Sequence, residues 1–462
     1  MQSLIRMITP RSSPSLLPRS TNFWNIRQIH AQPSHKLAGP LDGIRILDLS
    51  RVLAGPFCTQ ILADYGADVI KVEHPKGGDD TRLWREAGEQ MIWKSDAKDT
   101  SLYFNTINRN KRSISVNLKH EQGRAVVLQL VKNADVVVEN FVPGKLDSLG
   151  LGYEVLKKAN PSLILASISG YGADGPYSQR AGYDVIGAAE GGLLHVTGEG
   201  DGPPTKPGVG IIDMCTGLYL HGAIASALLA REKTGLGQKI DTSLFETTIS
   251  ILANVGMAWL NLAKEAQRWG TGHPTIVPYE AFTTKDAYIV VGAVNDRQFQ
   301  ILCERLGNTK LAKDSRFVNN QSRIEHRKEL KRILDEEFAS NTTAHWEDKF
   351  EGSGLPYGPI NNMEKVFSHP QAIARNMIEV VKQDSAVSGE IQVLGKFSMV
   401  ASLRARQSTN QVFHTGMPVK FSESKTSIRR APPALGEHTN DILQELGVSS
   451  TTISSLRKNG VV

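Results

Sequence analysis

The chain has 462 residues, enough for two or three domains and a sizeable core, with 40% hydrophobic and 22% charged residues and a formal net charge of +6. No apolar run approaches the roughly 20 residues that span a bilayer, so no membrane partner is expected. The excess positive charge sits in the first 36 residues, where Arg6, Arg11, Arg19, Arg27 and Lys36 occur and no acid precedes Asp42. The remainder is nearly neutral and gives no electrostatic support for nucleic-acid binding.

Residues 1–36 are rich in Ser and Arg and lack a long apolar core. They read as a mitochondrial transit peptide, which implies a matrix location; a disordered basic tail is the plainer alternative. From Gly43 a strand–helix rhythm begins. Residues 44–49 read as an apolar strand, Ala54-Gly55-Pro56 as a turn with Pro at the first helical position, and 57–65 as a helix stopped by Gly66. Strands follow at 68–73, 113–119, 135–139 and 163–168, with helical periodicity over 121–133 and 145–158. This alternation predicts an α/β fold: a Rossmann-like, doubly wound, mostly parallel sheet in a large domain over 37–270, with ligands beyond the carboxyl ends of its strands.

The stretch Lys206-Pro-Gly-Val-Gly-Ile-Ile-Asp-Met-Cys-Thr-Gly217 sets one carboxylate, Asp213, ahead of an Ala-rich helical pattern over 218–229. A carboxylate at such a junction is either a helix cap or a nucleophile exposed at the helix start, and the local sequence leaves both open. A segment at 238–242 and a helix to about 262 follow. In the loop Arg268-Trp-Gly-Thr-Gly-His-Pro274, Gly270 and Gly272 suit either a lid with oxyanion donors or a plain linker. A hairpin over 277–294, turning near Lys285 and Asp286, and helices near 297–306 and 325–338 read as a smaller α+β domain over 271–370. Residues 371–462 read as a segment returning to the large domain, with a closing helix.

Cys58, Cys215 and Cys303 are far apart without metal-ligand spacing, so reduced, buried thiols and no metal site are expected. Glu73, ending the second strand, would suit a ribose hydroxyl. The turn reads Leu53-Ala-Gly-Pro-Phe57, however, and Gly208-Val-Gly-Ile-Ile-Asp213 lacks the third small residue, so no nicotinamide cofactor is expected.

Seven motifs occur in register: Arg51-Val-Leu-Ala-Gly-Pro-Phe57, Gly66-Ala-Asp-Val-Ile-Lys-Val-Glu73, Asn108-Arg-Asn-Lys-Arg-Ser113, Val138-Glu-Asn-Phe-Val-Pro-Gly144, Ala181-Gly-Tyr-Asp184, residues 207–217 and Leu435-Gly-Glu-His-Thr439. Together they resemble the class III CoA-transferase family, which also includes carnitine and formyl-CoA transferases and α-methylacyl-CoA racemases. The likeness covers the chain from about residue 40. Trp269-Gly-Thr-Gly-His-Pro-Thr-Ile-Val-Pro-Tyr279 and Leu355-Pro-Tyr-Gly-Pro-Ile-Asn-Asn-Met363 look most like the branch that passes CoA from succinyl-CoA to glutarate.

The resemblance implies that Asp213 is the nucleophile, forming an aspartyl–acyl anhydride and then an aspartyl-CoA thioester. It implies acyl-CoA and dicarboxylic acids as partners, coenzyme A as a substrate with no permanently bound cofactor, and an interlocked homodimer. Carried over residue by residue, CoA contacts fall at Val52, Leu53, Ala54, His74, Val116, Lys119, Asn140, Phe141 and Lys145. Lys119 is placed on phosphate and Phe141 against adenine. His74 stands where many relatives carry an adenine-stacking Arg, and Ser148 where an Arg near the 3′-phosphate is expected, with Lys145 one turn earlier. Leu53 stands where relatives acting on oxalate carry Gln, which argues against oxalate.

Arg109, Lys111 and Arg112 either add positive potential for phosphates or a substrate carboxylate, or form a solvated turn. Asp184 either positions substrate or caps its own helix. The stretch at about 395–415 is one the family pattern does not need. Two rival activities remain. A racemase needs a second acid/base, yet the position of its His is Tyr183 and that of its further Glu is Asn295. The other rival is a catalytically silent CoA-binding protein.

Overall fold

Six short segments, four to six residues long and four of them rich in Val, Ile and Leu, form a parallel sheet. The computed structural model describes residues 39–387 and 411–462. The basic leader at 1–36 lies outside the described residues, as does the 395–415 stretch up to residue 410.

The strands are β1 (Arg45–Asp48), β2 (Asp68–Glu73), β3 (Lys111–Ser115), β4 (Val136–Glu139), β5 (Ile164–Ser169) and β6 (Lys239–Ser243), in the spatial order β3-β2-β1-β4-β5-β6. Every pairing is parallel. Alternate residues serve opposite faces. Leu47, Ile70 and Val137 join one core with the helices Glu121–Lys132 and Tyr153–Ala159. Ile46, Val69 and Val136 join the other with the helices Ala54–Asp64 and Ile211–Thr234. Burial on both faces is why β1, β2, β4 and β5 read as apolar runs, whereas β3 and the partly exposed edge strand β6 are polar. Between β1 and β4 the strand order reverses, and at that point the carboxyl ends of a doubly wound sheet open a crevice.

The Ile211–Thr234 helix is long and apolar enough to cross a bilayer by length and composition. Here it is a core helix, with Ile212, Leu220, Ile224 and Leu228 buried against the sheet. It meets the Ala54–Asp64 helix at Gly217, where a Cβ would lie 2.7 Å from the Ala54 carbonyl oxygen, so no larger residue fits. The C-terminal helices Thr439–Glu445 and Ser450–Lys458 return to the opposite face, contributing Ile442, Leu443, Ile453 and Leu456 to its core.

A separate core begins at Val277. It lies under an antiparallel sheet of β7 (Tyr279–Thr283), β8 (Tyr288–Gly292) and β9 (Tyr357–Pro359), where Phe282 stacks on Phe338 with ring centroids 4.7 Å apart.

Several sequence expectations need correction. Pro56 is the third residue of its helix rather than the first, a position whose amide has no intrahelical partner to lose. The helix expected over 145–158 is broken into Lys145–Ser148 and Tyr153–Ala159, because Gly150 adopts a left-handed φ of 70°. The segment at 238–242 is β6, the sixth strand. Of the 395–415 stretch, β11 (Gln411–Thr415) pairs antiparallel with β10 (Ile378–Lys382), so this end is integrated into the fold. Glu73 is bound to Arg82 at 2.7 Å and accepts from the Ser113 hydroxyl, which leaves it no ribose role.

Beneath the turn after β1 lies a fully buried ionic network. Lys111 Nζ contacts Asp48 Oδ2 at 2.9 Å, and Lys71 Nζ contacts Asp79 Oδ2 at 2.9 Å. Lys111 also donates to the Pro56 carbonyl and Asn108 Oδ1, and Lys71 to the Ser50 carbonyl. Thr59 and Ser50 donate to Asp48. Burial opposes ionisation of Asp48, but Lys111 and Lys71 overcome it and hold the carboxyl well below the usual carboxylate range. Burial pushes the Lys111 ammonium down to about 8 against the attraction of Asp48. Removing one partner of such a pair strands the other. Lys111→Met is therefore expected to destabilise the fold by about 3 kcal/mol, read as a lower urea midpoint at unchanged m-value.

Candidate active site

The turn after β1 and the loop after β4 face one another across a cavity of about 360 Å³ at the reversal of strand order. Its lining includes Val52, Leu53 and Ala54 from the first, Asn140, Phe141 and Lys145 from the second, and Asp213. The turn is clamped from two sides. Val52, a β-branched residue, holds a left-handed φ of 68°. Its amide donates to Asp79 Oδ1 at 3.2 Å, and Asp79 is itself fixed by Lys71. The Asn140 side chain pairs both ways with the Arg51 backbone, accepting from the amide at 2.9 Å and donating to the carbonyl at 2.8 Å. The Ala54–Asp64 helix starts at the cavity with Leu53 at the cap position, which offers no hydrogen-bonding side chain to its first-turn amides.

Asp213 stands in the first turn of the Ile211–Thr234 helix, three residues after the cap position Gly210. It is not the cap. That role belongs to Asp184, whose Oδ1 accepts from the amides of Ile212 at 2.8 Å and Asp213 at 3.2 Å. Among the described residues no hydrogen bond or ion pair reaches the Asp213 carboxylate itself. Burial pushes its carboxyl up to about 7, and the neighbouring Asp184 charge adds to the rise. Tyr103 lies within the same field: burial raises its phenol, and Asp213, Asp184 and Asp79 raise it further. A partly buried, unpaired and unusually basic carboxylate facing a cavity is suited to nucleophilic attack on an activated carbonyl.

The cavity thus unites Asp213 with Val52, Leu53, Ala54, Asn140, Phe141 and Lys145. Other expected residues lie elsewhere. His74 is exposed after β2, its Nδ1 accepting from the Lys76 amide at 3.1 Å. Val116 is buried in the core, and Lys119 is exposed beyond β3.

Arg109 and Arg112 are neither free positive potential nor a solvated turn. Arg109 is buried against Asp64 at 2.7 Å and donates to the Thr415 carbonyl. Arg112 bridges Asp68 at 2.7 Å and Glu445 at 2.6 Å, tying the C-terminal helix to the sheet. Asp184 caps a neighbouring helix rather than its own. The amides of Gly270 and Gly272 are committed to the carbonyls of Gly198 and Trp269, and neither glycine lines the cavity.

Sequence reasoning passed over Arg51, Ser169, Arg180 and Tyr183 as lining residues, and Asp80 as the partner of Arg51 at 3.1 Å. Arg51 and Tyr183 sit inside motifs that were read for other residues. Arg180 stacks over Tyr177 at 4.7 Å and pairs with Glu190, and nothing local in the sequence signals either contact.

The profile of CoA-transferase family III matches residues 41–439. The chain is 51% identical to an acyl-CoA transferase of Fusarium pseudograminearum, across all of this chain and 97% of that one. It is 45% identical to the human succinyl-CoA:glutarate CoA-transferase, across 92% of this chain and 90% of that one. Its fold matches the crystal structure of a CAIB/BAIF family protein from Brucella suis with a TM-score of 0.74 at 39% identity, covering 88% of this chain and all of the other.

A carboxyl held at about 7 in the folded protein and near 4 in the unfolded chain binds more protons when folded between those values. Its contribution to stability is therefore lost as pH rises from about 4 through about 7. Asp213→Asn removes that loss. The variant is expected to exceed the parent by about 1–2 kcal/mol at pH 8, after solvent screening, and to match it near pH 4, as read from urea midpoints.

Proposed function

Because this chain belongs to CoA-transferase family III, and so is an enzyme that uses coenzyme A as a substrate, we propose that it moves CoA from succinyl-CoA to glutarate through Asp213, as a homodimer in the mitochondrial matrix. The observation that carries the reading is the Asp213 carboxylate, unpartnered among the described residues, in the cavity at the sheet's reversal point.

The Asp213 carboxylate adds to the thioester carbonyl and expels CoA thiolate, leaving a succinyl–aspartyl anhydride. The thiolate then attacks the aspartyl carbonyl, forming an aspartyl-CoA thioester and releasing succinate. Glutarate attacks that thioester, and the freed thiolate takes the glutaryl group from the resulting anhydride, restoring Asp213. No proton is gained or lost. What the protein supplies is placement of the reactants and a pocket that limits hydrolysis of two activated intermediates.

Lys145, Arg51 and the uncapped start of the Ala54–Asp64 helix favour the CoA phosphates, and Phe141 offers an aromatic face. The named reaction of the human relative supports the acid pair. Met257, Trp259, Leu260 and Leu262 are more than half exposed along one short helix, an apolar surface that supports a self-association reading. The arginine-bearing, acid-free leader supports import.

Incubation with succinyl-CoA and labelled glutarate is expected to place label in glutaryl-CoA, and Asp213→Ala to lower that exchange by at least about 10³-fold. Hydroxylamine quenching should convert Asp213 to a hydroxamate visible by mass spectrometry. Deuterium wash-in at an α-carbon without exchange would instead identify a racemase, and tight acyl-CoA binding with neither would identify a silent binder.

A further inference from the structure

Asp213 occupies a position where a carboxylate ordinarily turns back onto the helix start. Gly210 at the cap position has no side chain, so the first-turn amides need an acceptor, and the nearest one in sequence is Asp213 itself. We propose that Asp184 is a positioning residue: by taking the amides of Ile212 and Asp213, it prevents Asp213 from capping its own helix and leaves that carboxylate free for the cavity.

The local sequence is arranged around this reach. A Cβ at Gly210 would lie 2.8 Å from Leu53 Cδ2, so glycine there admits the Leu53 side chain, while Asp184 Oδ1 at 3.6 Å is in ordinary contact range. Gly187, one turn along from Asp184, lets its helix approach Leu244, since a Cβ there would lie 3.2 Å from Leu244 Cβ. Gly182 packs on Gly170 so closely that a Cβ on Gly170 would lie 2.8 Å from Gly182 Cα. The Asp184 carboxylate thus reaches a helix start 28 residues further along the chain.

Asp184 also adds a negative charge beside Asp213 and sustains its basicity. The other charged and titratable groups around Asp213 are Tyr103 from its short helix, Arg51 and Asp80 at the turn after β1, and Lys145, Arg180 and Tyr183 around the cavity. Arg51 is paired with Asp80, and Arg180 with Glu190.

The inference rests on Asp213 being the nucleophile, and its first readout does not depend on turnover. Infrared difference spectra between a protein and its Asp213→Asn counterpart isolate the Asp213 carboxyl band, which is titrated in the parent, in Asp184→Asn and in Asp184→Ser. Both replacements keep an acceptor oxygen and remove the charge. The Asp213 midpoint is expected to fall by about one unit in each, with the acid limb of kcat/KM moving by the same amount. Asp184→Ala, which also removes the cap, should lower kcat more than it changes KM.

An Asp213 midpoint unchanged in both charge-removing variants, or full kcat in Asp184→Ala, would overturn the proposal. If Asp184→Ala does not fold, Asp184→Asn and Asp184→Ser decide the proposal by the shift of the Asp213 midpoint alone. Absence of label exchange alongside a shifted midpoint would refute the CoA-transfer reading and leave the positioning role standing.

Discussion

Two lysines with no solvent exposure hold the turn on which the cavity is built. Lys111 on Asp48 and Lys71 on Asp79 fill the space beneath Ser50–Pro56 with paired charge. Asp79 then passes that order upward to the Val52 amide. A β-branched residue in a left-handed conformation costs about 1–3 kcal/mol and persists only where its surroundings over-determine it. Here the determinants are Asp79 below and Asn140 from the neighbouring strand end. A buried ion pair is weak evidence for net stability, because desolvation offsets most of its attraction. Its contribution in this fold is geometric: it fixes where the backbone turns, and so where the crevice opens between β1 and β4.

The chain treats buried carboxylates in two opposite ways. Asp48, Asp79 and Asp64 are each bound by a cation and by hydroxyl or amide donors, which commits them to structural roles. Asp213 has burial without a cation, and its nearest charged neighbour is another carboxylate. Burial alone does not decide whether a carboxyl group is inert or reactive; the supply of donors does. Around Asp213 the helix amides that would have supplied them are occupied by Asp184.

Much of the large sheet was legible because β1, β2, β4 and β5, buried on both faces, are mainly apolar, and a helix between parallel strands is amphipathic. The crevice followed from the alternation of elements. Less legible was anything set by a distant partner. Arg109, Lys111 and Arg112 look like an exposed basic turn until their acids arrive from Asp64, Asp48 and Asp68, forty or more residues earlier. Asn140 was correctly placed at the cavity, but its commitment to the Arg51 backbone depends on two strand ends lying side by side. The break at Gly150 shows a local limit, since the apolar period continues across it while the backbone does not.

In the proposed exchange the raised basicity of Asp213 has a directional consequence. The anhydride it forms with an acyl group has two carbonyls open to the thiolate. At the first anhydride, attack on the acyl carbonyl expels Asp213 and returns the starting thioester, and attack on the aspartyl carbonyl expels the free acid and moves the reaction on; at the second the two outcomes exchange roles. Departure is easier for the weaker base, as it is for thiols in exchange reactions. A carboxyl held at about 7 is the poorer leaving group beside a dicarboxylic acid titrating near the ordinary carboxylate value of about 4. Productive attack is thereby favoured at the first anhydride, whereas at the second, where progress requires expulsion of Asp213, the same basicity favours return to the aspartyl-CoA thioester. The same basicity leaves part of the enzyme protonated at neutral pH. A nucleophile with an ordinary carboxylate value would be fully ionised there, but it would partition each anhydride more evenly between return and progress.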